Sequence, residues 1–202
     1  PYIDNSKEIF YAPNWADYLN KELEKYQFSK DDKIHFTFAG NIGTVQNLDN
    51  VIEGFGILGN EFLEKVQLNI VGDGSYLEQL KNIVQEKKFR NIVFWGRKPR
   101  EEIFKYLDAS DFLIVSLIDK EIFSLTVPAK TQTYIATNKP VIAIINGEAS
   151  EIVRENNLGL VCSPSDVEQI KATFIKAINT TNEEKKEYIR NSEFLTNNVF
   201  KK

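Results

Sequence analysis

The sequence predicts an α/β fold: a doubly wound, Rossmann-like parallel sheet of six strands with helices on both faces. Short apolar runs rich in β-branched residues recur at 34–39, 66–71, 92–95, 112–116, 141–145 and 160–162. Five of the six are near-continuously apolar, as strands buried on both faces are. Segments with helical spacing fall between them, at 48–58, 76–86, 99–109, 130–136 and 149–155. Steady alternation of strand and helix means βαβ crossovers and hence a parallel sheet.

Composition fits this class. The chain has 202 residues and is 42% hydrophobic, which suits one domain able to bury its own core. One cysteine, Cys162, excludes a disulfide framework and fits a reducing, cytoplasmic compartment. It follows Leu160-Val161 and reads as a buried small hydrophobe. The net charge of −4, from 25 basic and 29 acidic residues, argues against a nucleic-acid partner. No apolar run approaches the roughly 18 residues of a membrane span, and none has the pattern of a secretory signal. Methionine is absent, residue 1 included, so the chain reads as part of a longer protein.

Three segments are expected: a linker and helix over 1–30, the Rossmann-like domain over 31–180, and a C-terminal helix over 181–202. The first contains Pro13-Asn14-Trp15 and an amphipathic stretch, 18–28. The last places Tyr188, Leu195 and Val199 on one helical stripe. Both look built to pack on something else, or to close the ends of the sheet.

Helix boundaries carry local signals. Pro99 fits a first helical position, where its lost N–H costs nothing. Glu101 and Glu102 follow in the first turn, favoured by the helix dipole. Asn138 and Lys139-Pro140 stop the helix that ends near Ala136.

Ligands of a doubly wound sheet bind beyond the carboxyl ends of the strands, near the switch point. The loop after the first strand is Gly40-Asn41-Ile42-Gly43-Thr44, with Gln46 close behind. Its glycines allow close backbone approach, and the helix that follows offers N–H groups to an anion. It is not GxGxxG, and taken alone its glycines are more simply explained as a plain turn. After the second strand, Gly72-Asp73-Gly74-Ser75 repeats the pattern, with Asp73 or Ser75 a candidate helix cap. After the third, Gly96-Arg97-Lys98 sets two cations at a strand's carboxyl end. After the fourth comes a longer loop, 117–127, and then Pro128-Ala129-Lys130-Thr131-Gln132-Thr133-Tyr134. A lysine in a helix's first turn is electrostatically unfavourable. An anion shared between Lys130 and the helix amides would account for it, with Thr126, Thr131 and Thr133 as further donors.

Catalytic groups are few. The one histidine, His35, lies in an apolar strand and reads as structural. There is no Ser-His-Asp set, no zinc spacing and no GxxxxGK[ST]. The chain reads as a binding platform.

In order, these loops resemble the C-terminal domain of group 1 (family 4) GT-B glycosyltransferases over about residues 34–180. The matching pieces are Phe38-Ala39-Gly40-Asn41-Ile42-Gly43, Leu68-Asn69-Ile70-Val71-Gly72-Asp73-Gly74, Ile92-Val93-Phe94-Trp95-Gly96, Tyr106-Leu107-Asp108-Ala109-Ser110-Asp111, Asn138-Lys139-Pro140-Val141-Ile142-Ala143, Glu151-Ile152-Val153 and Gly159-Leu160-Val161. Pro13-Asn14-Trp15 resembles the linker entering that domain, and the last helix resembles the segment crossing back to an N-terminal, acceptor-binding domain.

The resemblance implies a retaining transferase. Its donor would be a nucleotide-diphosphate sugar, uridine-linked by family precedent, and its acceptor a glycan or lipid-linked glycan. It would need no metal or other cofactor, and any association with the inner face of a membrane would come through the other domain. The first loop would approach pyrophosphate or sugar, and Gly96 and Arg97 would flank the base. Glu121, Thr126, Val127, Pro128, Thr131 and Thr133 would line the donor around Lys130, the candidate catalytic residue. The chain departs from the family pattern twice. Asn41 and Gln46 stand where the family commonly has arginine and lysine. Thr133 and Leu125 stand where it has paired glutamates, with Glu121 near but out of register. The pattern Pro128-x-Lys130-xxx-Tyr134 resembles a subgroup of bacterial polysaccharide-assembly transferases, similar to N-acetyl-fucosamine transferases.

Rival readings are a degenerate GT-B half serving as a non-catalytic binding or interaction module, and a nucleotide-sugar 2-epimerase, which needs more acid/base groups than the chain offers. A response-regulator-like domain needs clustered aspartates at strand ends, and Asp111 precedes its strand.

Overall fold

A computed structural model describes residues 26–28 and 32–200, with Val199 and Phe200 as backbone only. The expected linker at Pro13-Asn14-Trp15 and most of 18–28 lie outside these residues. In chain order the elements are β1 (Ile34–Ala39), a 3-10 turn (Thr44–Gln46), α1 (Leu48–Gly56), α2 (Asn60–Leu63), β2 (Val66–Val71), α3 (Leu77–Glu86), β3 (Ile92–Gly96), α4 (Arg100–Asp108), β4 (Phe112–Ser116) and α5 (Glu121–Ser124). There follow α6 (Ala129–Ala136), β5 (Val141–Ile144), α7 (Glu148–Glu155), β6 (Gly159–Cys162), α8 (Val167–Ile178), α9 (Asn182–Leu195) and a π turn (Thr196–Phe200).

The strands form one parallel sheet in the order β3-β2-β1-β4-β5-β6. The chain winds outward from β1 to β3, then returns to lay β4 beside β1. The switch point is therefore the β1–β4 boundary.

Alternate side chains leave the sheet on opposite faces. Phe36, Phe38, Leu68, Ile70, Phe112, Ile114, Ile142 and Ile144 enter one core with α1, α3 and α8. Ala39, Val71, Leu113, Val115, Val141 and Ala143 enter the other, with α4, α6 and α7. Both sets are buried, which is why the runs read as continuously apolar. In the first core Phe36 stacks on Phe112 at 5.5 Å and meets Phe174 edge-on at 5.0 Å, geometries that favour aromatic pairs.

The sequence left 167–178 unassigned, although its signals are local. Asp166 accepts a hydrogen bond from the Gln169 amide as N-cap, and Ile170, Phe174 and Ala177 form the buried stripe. Pro99 is the N-cap of α4 and not its first residue, since its carbonyl accepts from the Glu102 and Ile103 amides. Asp73 does not cap α3, whose N-cap position is Tyr76; its Oδ1 accepts from the adjacent Gly74 amide. Helix α6 stops as expected, with Asn138 in the left-handed region at φ 56°.

Helix α9 lies against α6. Its Lys185 bonds Asp111 at 3.2 Å, and its Asn191 reaches the Asn157 carbonyl. Its Tyr188 is buried and its Phe194 exposed. Cys162 is buried in the first core and its thiol is pushed up by that burial. His35 is buried near the amino end of β1, stacked on Phe28 and 3.3 Å from the Asn69 amide, away from the strands' carboxyl ends.

Candidate functional site

The loops after β1 and β2 pack backbone to backbone. The Ile42 amide donates to the Asp73 carbonyl at 2.9 Å, and the Tyr76 amide to the Ile42 carbonyl at 3.0 Å. A Cβ on Gly72 would stand 1.9 Å from the Gly40 oxygen, and one on Gly74 would stand 2.2 Å from the Ile42 oxygen. Both glycines are required by this contact between loops, whatever the loops bind.

At the carboxyl ends of β1, β2 and β3 this packing leaves a cavity of about 470 Å³. Its wall includes Gly40, Asn41, Gly72, Gly74, Arg97 and Lys98, all expected from the sequence, together with Val71, Asp73 and Ile103, which were not. Gly96 precedes it at φ 68°. Two cations and several backbone edges in one concave site suit an anionic, planar ligand.

Not every residue of the first loop faces that cavity. Ile42 is fully buried in the first core, so it can offer a ligand backbone only. Gln46 Oε1 accepts the Gly43 amide at 2.8 Å, which makes it a cap for the turn rather than a replacement for a lost basic contact. Thr44 opens that turn in an exposed position outside the cavity wall.

The switch point lies on the other side of Gly40. β1 and β2 pair along six residues, but β1 and β4 pair only at Phe36↔Phe112 and Thr37↔Leu113. Beyond that the strands part, and α6 faces the gap. Tyr134 Oη accepts from the Ala39 amide at 2.8 Å and donates to the Ala39 carbonyl at 2.9 Å.

One turn earlier, Lys130 carries its ammonium to 3.2 Å from where a Cβ on Gly40 would lie, and to 3.8 Å from the Phe38 ring centroid. The ammonium is buried and has no hydrogen-bond partner among the described residues. That burial alone lowers it to about 7 from the ordinary lysine value. Cation–π attraction offsets only part of the desolvation of an ammonium. A buried polar group without a partner needs an explanation, and an anionic ligand at the head of α6 would supply one.

The remaining candidates around Lys130 divide. Pro128 is the N-cap of α6, and Val127 packs on the second core. The Thr131 hydroxyl is buried without a partner among the described residues, as is that of Ser116 at the end of β4. The Thr133 hydroxyl bonds back to the Ala129 carbonyl of its own helix, and that of Thr126 to the Phe123 carbonyl; neither bond reaches toward Gly40. Glu121 is exposed at the start of α5, followed by exposed Ile122 and Leu125. Among the described residues no three His, Cys, Asp or Glu side chains could together hold a metal ion, and no helix is long and apolar enough to cross a membrane.

A family model described as glycosyl transferases group 1 matches residues 20–193. The chain is 27% identical over 177 residues to the probable glycosyltransferase WbjE of Pseudomonas aeruginosa, covering 81% of this chain and 42% of that protein. It thus spans about two-fifths of the length of the curated relatives it matches. Among solved structures, Anabaena Alr3699/HepE in complex with UDP-glucose matches with a TM-score of 0.70 at 15% identity, covering 84% of this chain and 45% of that one. WaaG, a glycosyltransferase involved in lipopolysaccharide biosynthesis, matches with a TM-score of 0.70 at 16% identity, covering 84% and 44%. At these identities the structural likeness is one of fold.

Proposed function

The chain belongs to the group 1 glycosyl transferases, and on that premise we propose that it is the donor-binding half of a retaining, metal-independent enzyme that moves a sugar from a nucleotide-diphosphate sugar. The buried, unpartnered ammonium of Lys130 beside Gly40 carries the reading. In this reading the diphosphate lies between Gly40 and the head of α6. The nucleoside occupies the cavity walled by Asn41, Asp73, Arg97 and Lys98.

In the transfer, the bond between the anomeric carbon and the β-phosphate oxygen breaks, and its electron pair stays on the leaving diphosphate. The acceptor hydroxyl oxygen bonds the anomeric carbon and gives up its proton. Charge on the diphosphate grows as the bond breaks. A cation and helix amides already aimed there favour the transition state over the ground state. Lys130 and the first amides of α6 take this role. The acceptor's proton can pass to the departing diphosphate oxygen, and no group of this chain is assigned to it. UDP as the nucleotide is supported by the UDP-glucose in the HepE complex. A glycan or lipid-linked acceptor in surface polysaccharide assembly rests on the subgroup pattern around Pro128, Lys130 and Tyr134.

One observation favours a second reading, a degenerate half whose donor site has lapsed and which serves as a non-catalytic binding or interaction module. Thr133 and Leu125 stand at the family's glutamate positions, and the Thr133 hydroxyl is spent on its own helix. Calorimetric titration of the chain with UDP, GDP and ADP tests the donor site. Binding of one diphosphate, lost in Lys130→Ala, supports it. No binding of any of them would favour the module. Sugar transfer by the full-length protein decides between enzyme and module.

A further inference from the structure

On a parallel strand, the backbone groups of alternate residues face the same neighbour. On β1 the groups of Ile34 and Gly40 face β2, where their amides donate to the Lys65 and Val71 carbonyls. Those of His35 face β4, whose Asp111 amide donates to the His35 carbonyl. Ala39 shares this parity, so its N–H and C=O point toward β4. Yet β4 has already parted from β1, and the Tyr134 hydroxyl takes both groups. Tyr134 is 2% exposed and Ala39 6%, so water is no substitute. Tyr134 and Lys130 are four apart on α6 and share a face. Fixing the phenol against Ala39 therefore fixes the height at which the ammonium meets Gly40, the next residue.

We propose that Tyr134 is a positioning residue of the donor site: its hydroxyl stands in for β4 at Ala39, keeps the switch point open, and so seats the Lys130 ammonium beside Gly40. The link to donor binding rests on the proposed diphosphate site; the seating of Lys130 does not.

The test compares Tyr134→Phe with Phe174→Leu, a core substitution on the opposite face that also lowers Tm. Two quantities are read for each: the titration midpoint of Lys130 in the ligand-free chain, from its side-chain εCH2 NMR resonances, and the affinity for UDP. In Tyr134→Phe the midpoint should rise from about 7 toward an ordinary lysine, and UDP affinity should fall about tenfold or more. Phe174→Leu should move neither. A Tyr134→Phe chain with the wild-type midpoint overturns the proposal. A shifted midpoint in a chain that binds no diphosphate supports the seating of Lys130 and removes the donor-site reading instead. Should Tyr134→Phe not fold, hydrogen exchange of the Ala39 amide in the wild-type chain takes its place: that amide should be protected by its bond to the Tyr134 hydroxyl, and exchange as fast as in an exposed loop counts against the proposal.

Discussion

The Lys130 ammonium stands 3.8 Å from the centre of the Phe38 ring, buried and without a hydrogen-bond partner among the described residues. Phe38 is fully buried. The contact places a charge against the core at the end of β1, next to the loop that lines the cavity. Stability and binding should therefore oppose one another at this residue.

Lys130 binds its proton more weakly in the folded chain than in the unfolded one. The folded state carries the resulting penalty in full below about pH 7 and sheds it as pH rises toward the ordinary lysine range. Lys130→Met should stabilise the ligand-free chain by on the order of 2–3 kcal/mol near pH 6, a Tm rise of roughly 5–10 °C that shrinks toward pH 10. Thermal melts across that range check it; a lower Tm at pH 6 than wild type would refute the penalty. The same variant should lose diphosphate binding.

An anion beside Lys130 favours its charged form, so binding should take up a proton. Between pH 7.5 and 9 a free diphosphate is already fully ionised, and affinity should fall by up to about tenfold per pH unit. Calorimetry in buffers of different ionisation enthalpy measures the proton directly. A flat profile in the wild-type chain, matching that of Lys130→Met, would exclude Lys130 from the site.

Gly72 and Gly96 both have positive φ, at 142° and 68°, but their surroundings differ. A Cβ at Gly72 meets the Gly40 oxygen at 1.9 Å, whereas one at Gly96 meets nothing within 4 Å. Gly96→Ala should cost about 1 kcal/mol, from backbone conformation alone. Gly72→Ala should cost roughly 3 kcal/mol or more, because backbone must move, and should weaken nucleotide binding as the two loops separate. Denaturant unfolding of the pair, with UDP titration of each, checks the ranking.

Asp111 Oδ2 accepts the His35 amide at 2.9 Å, and Oδ1 accepts Lys185 at 3.2 Å. One carboxylate thus closes the amino end of the β1–β4 seam and ties α9 to it. Asp111→Ala should destabilise by about 1–3 kcal/mol and raise amide exchange at His35 and along α9. UDP affinity should hold, since the site is at the opposite end of the strands.

The sequence by itself determined the layers, the six strands and the position of Lys130 in the first turn of a helix. These follow from hydrophobic period and local stop signals, which act over a few residues. The cap and buried stripe of α8 are local signals of the same kind. Six of the cavity's residues were legible because they follow strands, where a doubly wound sheet puts its ligands. Local pattern did not decide which loop residues would face a ligand. Gln46 became a cap and Ile42 a core residue because of how the loop curls, while Gly72 and Gly74 serve a contact with Gly40 and Ile42. Tertiary structure alone decided that β4 would lie beside β1 and part from it after two residue pairs, that Tyr134 would bond Ala39 across 95 positions, and that Lys130 would lose its solvent. Burial is a property of the assembled neighbours, and those neighbours come from distant parts of the chain.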